Sequence, residues 1–161
     1  DPLYDVRCKT YHRDKCASHS KWGIAHCMLY GMSTFVCSHS SSRALCDHPR
    51  NLTDEQMRAL ARKGGVAQVT FYEGFLRKDG KADILDAIAH LKYMAKVMGV
   101  EHVGIGTDFD GDGGVPGIAS ASEVINLTRM LLKNGFSEAD LQLIWGGNFL
   151  RVMNEIQNFK S

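Results

Sequence analysis

The sequence predicts an α/β fold in which parallel strands alternate with helices, and three observations carry that expectation. From Ser33 onward, short apolar runs alternate with stretches whose apolar residues recur at three and four, so strand, loop and helix repeat three times. Polar residues stand where the first and third of these runs end, the place at which parallel α/β folds keep reactive groups. A closed (β/α)8 barrel takes about 250 residues. With 161 residues and three strands, or four, the chain cannot close such a barrel by itself.

The first strand candidate is Thr34-Phe35-Val36-Cys37. Thr53 then opens a helix, with Gln56 three residues on as a capping box and Met57, Leu60 and Ala61 on one face. Gly64-Gly65 stops it. The second strand runs from Val66 to Tyr72 and leads into the charged turn Arg77-Lys78-Asp79-Gly80. Ile84, Leu85, Ile88, Leu91, Met94, Ala95 and Met98 predict an amphipathic helix over Ala82 to Met98, with Gly99 as its C-cap. The third strand, His102 to Thr107, opens into the loop Asp108 to Gly114. Helices are expected at about Ser122 to Lys133, Ser137 to Ile144 and Asn148 to Asn158. Before all of these, residues 1–32 form an irregular segment rich in His and Cys, so the chain divides into 1–32 and 33–161.

A hydrophobic share of 44% with 23% charged residues is the makeup of one globular domain with enough apolar material for a core. The formal net charge of +1 gives no support to nucleic acid or an anionic membrane as partner. No apolar run approaches a membrane-spanning length, and the polar stretch Asp1 to Lys15 does not read as a secretory signal. Five cysteines, odd in number and scattered, read as free thiols by default, with pairing left open. Asn51-Leu52-Thr53 and Asn126-Leu127-Thr128 fit the glycosylation sequon, which matters only in a secreted protein.

The first strand ends in Ser38-His39-Ser40-Ser41-Ser42 and the third in Thr107-Asp108-Phe109-Asp110-Gly111. A histidine and a carboxylate at two strand tips suit a metal hydrolase, in which imidazole binds zinc and a carboxylate handles protons. The plainer alternative is that His39 caps a loop and the aspartates make turns.

Three segments go further. Ser38 to Asp54, running SHSSSRALCDHPRNLTD, resembles the SHSSA…hPRN-D signature of the membrane (renal) dipeptidases. Val103 to Gly111 is similar to their G-x-DFDG segment, and Gly146 to Val152 to their closing GGNxLRV helix. The likeness runs in order from about Phe35 to Glu155. It implies the carboxyl-terminal half of a (β/α)8 barrel and a zinc metallopeptidase that hydrolyses dipeptides. His39 matches a ligand of the family's two-zinc site. Arg50 matches the arginine that holds the substrate's terminal carboxylate, a task suited to a guanidinium fork. Asp108 matches the aspartate that binds the substrate amine and shuttles the proton, while Asp110 and Asp112 read as loop-shaping or solvated. His19, twenty residues before His39, stands where a second histidine ligand is expected, although Arg13-Asp14-Lys15 replaces the apolar strand before it. His26 reads as a helix-surface residue.

The resemblance also marks what is missing. The family's HxD pair and its metal-bridging glutamate have no counterpart, and His12-Arg13-Asp14 reads as coincidence of letters. Without a bridging carboxylate two cations would repel, so one zinc or none is expected in this chain alone. Cys8, His12, Cys16 and His19 offer a rival reading as a single-zinc clip, although their spacings match no known knuckle. The implied partners are a dipeptide and, for the open barrel edge, a second copy or the amino-terminal half. The competing expectation is an inactive fragment or pseudoenzyme that binds metal or a partner subunit. Location stays open: the resemblance implies the cytoplasm for a bacterial member and an extracellular anchor for an animal one.

Overall fold

The computed structural model describes residues 34–158. Strands β1 (Val36–Cys37), β2 (Val66–Val69) and β3 (Val103–Ile105) form one parallel sheet in the order β1-β2-β3. Val36 stands opposite Val66, and Ala67 opposite Val103. The strands are shorter than the apolar runs that predict them, yet the hydrogen bonding continues past their ends. The Ser40 N–H donates to Gln68 O and the Gly106 N–H to Val69 O, both at 2.9 Å.

Helix α1 (Asp54–Arg62) joins β1 to β2. The Thr53 side chain accepts from the Gln56 N–H and the Gln56 side chain from the Thr53 N–H, the capping box that the spacing predicts. Met57 and Leu60 are buried. After β2 comes a single-turn helix, α2 (Glu73–Leu76), between the expected strand end at Tyr72 and the turn from Arg77, where the sequence predicted no element; it buries Phe75 and Leu76. Helix α3 (Ile84–Met98) begins with its apolar pattern and two residues after the expected Ala82, because Asp83 caps it, accepting from the Leu85 N–H at 2.7 Å and the Asp86 N–H at 3.3 Å. Its inner face is Ala87, Ile88, His90, Leu91, Met94 and Met98.

The remaining chain is helical: α4 (Val124–Lys133), α5 (Glu138–Gln142) and α6 (Asn148–Gln157). A π-turn at Leu143–Gly147 runs α5 into α6 and packs on β3. Helices α1 and α3 pack on each other and on the sheet, so they share one face of it. Met57, Leu60, Val69, Leu91, Met94, Val103, Leu127 and Ile144 meet there in one core. Fully burying each such side chain contributes about 1.5–3 kcal/mol. Among the described residues no helix is long and apolar enough to cross a membrane.

Helix α6 closes the base of the sheet, where the strands begin. The Asn148 amide donates to Val100 O and Val103 O, both at 2.8 Å. The Arg151 guanidinium donates to Gly64 O at 2.7 Å and Glu101 O at 2.9 Å, and the Thr34 hydroxyl donates to the Glu155 carboxylate at 2.7 Å. One helix therefore holds the chain just before each of the three strands.

Candidate functional site

Because the strands are parallel, the His39 and Asp108 tips lie at the same end of the sheet, opposite α6. They approach across β2. A Cβ on Gly106 would run into the Ser38 carbonyl, so glycine is what lets the end of β1 lie against the end of β3. His39 is half-buried, with Nδ1 2.7 Å from the Ser38 hydroxyl. That contact engages one ring nitrogen, so a metal or a substrate group would meet the ring at Nε2.

Asp108 is half-buried and has φ of +61°, the one positive φ outside glycine among the described residues. Such a backbone costs of order 1 kcal/mol and is held here by the loop that follows. The Asp108 carbonyl accepts from the N–H groups of Gly111 at 3.0 Å and Gly113 at 2.9 Å, and the Gly114 N–H reaches back to Phe71 O beyond β2. Asp110 and Asp112 are exposed on this loop.

Arg50 sits on the long connection from β1 to α1. Its guanidinium carbon is 5.2 Å from the centre of the Phe75 ring, a cation–π stance. Phe75 is gripped by His48, with ring centres 4.4 Å apart, and edge-on by Tyr72 at 4.9 Å. Burial, and then the positive charge of Arg50, hold the His48 pKa below its ordinary value. Arg50 Nε is buried without an acceptor among the described residues. A buried guanidinium N–H in that state is an unmet demand for an anion or a carbonyl.

The connection is built on Asn51, which is 2% exposed. Its carbonyl accepts from the Ser41 N–H at 3.0 Å, and its amide donates to Cys46 O at 2.9 Å and Phe75 O at 2.7 Å. An amide so enclosed leaves no room for a sugar, so the first sequon is a packing residue. Cys46 is a buried thiol donating to Gly74 O, and burial raises its pKa. Ser40, Ser41 and Ser42 are buried too, with side-chain hydroxyls that find no protein partner among the described residues.

His39, Arg50 and Asp108 thus occupy the connections at one end of the sheet. His19, the other expected metal ligand, lies outside the described residues, as do His12, Asp14, His26, Cys8, Cys16 and the rest of the 1–32 segment. Among the described residues no three His, Cys, Asp or Glu side chains converge as a metal would require. Sequence reasoning missed Phe75, Tyr72, His48 and Asn51. The available signal was the clustering of aromatic residues just after the second strand.

Comparison with known proteins places the chain. A family model described as membrane dipeptidase, peptidase family M19, matches residues 24–161. A Klebsiella pneumoniae protein described as an uncharacterized protein in the pqqA 5′ region is 35% identical over 139 residues, 84% of this chain and 50% of that one. Dipeptidase aclJ of Aspergillus oryzae is 35% identical over 124 residues, 75% of this chain and 29% of that one. The crystal structure of dipeptidase AC, described as a metallopeptidase, superposes with a TM-score of 0.82 at 25% identity, covering 87% of this chain and 41% of that one. The chain spans about half the length, or less, of the curated relatives it matches.

Proposed function

The chain belongs to the membrane dipeptidase family, peptidase family M19, and from that membership we propose that it is the carboxyl-terminal half of a (β/α)8 barrel that hydrolyses dipeptides with zinc. The parallel, sequential order β1-β2-β3 is that of neighbouring strands in such a barrel. The observation that carries the function is the Arg50 site. A guanidinium laid on an aromatic ring, with a buried N–H lacking an acceptor, is a receptor for a carboxylate.

Zinc is the metal proposed, since imidazole suits it and His39 offers a ring nitrogen at the strand-tip end. His39 alone does not make a metal centre. Its proposed companion is His19, and further donors are needed from outside the described residues. What the described residues do therefore concerns the substrate. Arg50 takes the terminal carboxylate. A dipeptide has that group one residue from the bond to be cut, so an anchor at a fixed distance selects dipeptides over longer peptides. Asp108 takes the free amine and carries a proton to the leaving nitrogen. The sheet edges of β1 and β3 are proposed to meet an amino-terminal half or a second copy of the chain, because unpaired strand edges are templates for further pairing.

The test is hydrolysis of an unblocked dipeptide by the purified, zinc-supplied protein beside two variants. Asp108→Asn should lose about a hundredfold or more in kcat. Arg50→Met should raise KM by about tenfold or more, the loss of one charge-assisted anchor. A folded, zinc-supplied protein that leaves the dipeptide intact both alone and with an amino-terminal half of the barrel supplied would overturn the proposal.

A further inference from the structure

His90 belongs to α3, in the layer behind the sheet, yet its ring touches both segments that build the Arg50 site. It is 1% exposed. Nδ1 accepts the Ser42 N–H at 3.0 Å, and Nε2 lies 3.0 Å from Leu76 O. A main-chain N–H only donates and a carbonyl only accepts, so the ring is neutral with its proton on Nε2. Ser42 lies on the stretch that runs from His39 to Arg50. Leu76 directly follows Phe75, whose ring carries the guanidinium.

A buried histidine on an apolar helix face is most simply a core residue. Leucine would fill that space as well. What leucine cannot do is hold two separate main-chain segments by hydrogen bonds of opposite sense. Asn51 ties the same two segments to each other through its bonds to Ser41 and Phe75. His90 adds what Asn51 does not, a connection from both segments to a helix of 15 residues packed into the core.

We propose that His90 is a positioning residue for recognition of the substrate carboxylate. By fixing Ser42 and Leu76 to α3, it sets the separation of Arg50 from the Phe75 ring and hence the direction in which the guanidinium points. This rests on the reading of Arg50 as the carboxylate anchor.

The experiment measures KM and kcat for a dipeptide, and the inhibition constant of the same dipeptide amidated at its carboxyl terminus, which offers Arg50 no carboxylate. Both are measured in the zinc-supplied wild type and in H90L, H90Q and R50M. H90L is expected to raise KM about tenfold with kcat within about twofold, and to leave the constant for the amide within about twofold. H90Q, whose side chain has both an acceptor and a donor, is expected to return KM to within about threefold of wild type. If R50M raises KM and H90L does not, the His90 assignment is overturned while Arg50 stands. If H90L weakens dipeptide and amide alike, or lowers kcat alone, His90 is a structural residue and the assignment is again overturned. If R50M leaves KM unchanged, the Arg50 reading falls and takes this inference with it. Should H90L fail to fold, H90N, which can make one of the two bonds, is judged by the same outcomes.

Discussion

Two histidines give the protein a pH dependence whose sign follows from their surroundings. Burial lowers the pKa of His90, and burial with the Arg50 and Arg43 charges lowers that of His48. The unfolded chain therefore binds protons that the folded one refuses, and stability is full above about pH 6.5 and lost as pH falls below it. Chemical denaturation between pH 8 and pH 5 should show that decline, and His90→Gln should make it shallower. A second decline belongs to Glu155, whose pKa is lowered first by the Thr34 hydroxyl and, less, by Arg151. Its contribution is present above the ordinary carboxylate range and lost as pH falls through and below it. Asn51→Ala should cost about 3 kcal/mol in a urea titration, because it strands a buried Ser41 N–H and the carbonyls of Cys46 and Phe75. At this scale the sequence pointed to the residues proposed to carry chemistry and hid the ones that hold their connections. His39, Arg50 and Asp108 stand in recognisable strings. Asn51 read as a sequon and His90 fell outside the helix's apolar pattern, because a buried hydrogen bond to main chain leaves no periodicity to detect.

Helix α3 and the first helix were legible because their signals are local: apolar spacing, a capping box and a terminal glycine. Where a few residues must be fixed by distant ones, the reading thinned. Helix α2 has four residues and stands on the burial of Phe75 and Leu76 rather than on propensity. The π-turn joins two predicted helices around Gly146, whose backbone departs from helical geometry. The ends of the strands depend on neighbours that no single segment reveals. Two substitutions test these elements. Arg151→Met removes two charge-assisted bonds to Gly64 O and Glu101 O and should cost about 2 kcal/mol, discounted for a side chain that is 35% exposed. Gly106→Ala forces a methyl group toward the Ser38 carbonyl, so it should separate the His39 and Asp108 tips. Its expected signature is a lower thermal midpoint together with a larger fall in kcat than Arg151→Met produces.

Across the whole molecule, the described residues make one parallel sheet of three strands, and α6 leaves Leu150 60% exposed beside exposed Phe149 and Met153. Apolar surface and unpaired strand edges favour association. Sedimentation of the 161-residue chain at tens of micromolar should therefore give a dimer or larger species. A monomer there would mean that residues outside 34–158 cover the edges. That three parallel strands with helices between them would form was readable from the apolar runs; what closes the base was not, because the bonds of α6 join residues far apart in sequence. The pairing of Thr34 with Glu155 spans 121 residues. During synthesis, at roughly 5–20 residues per second, that interval takes about 6–24 s. For that time the start of the first strand has emerged while the helix that fastens it is still unmade. The nascent protein spends those seconds with its strand starts unfastened, so the base of the sheet is the last part of the described fold that synthesis allows to close.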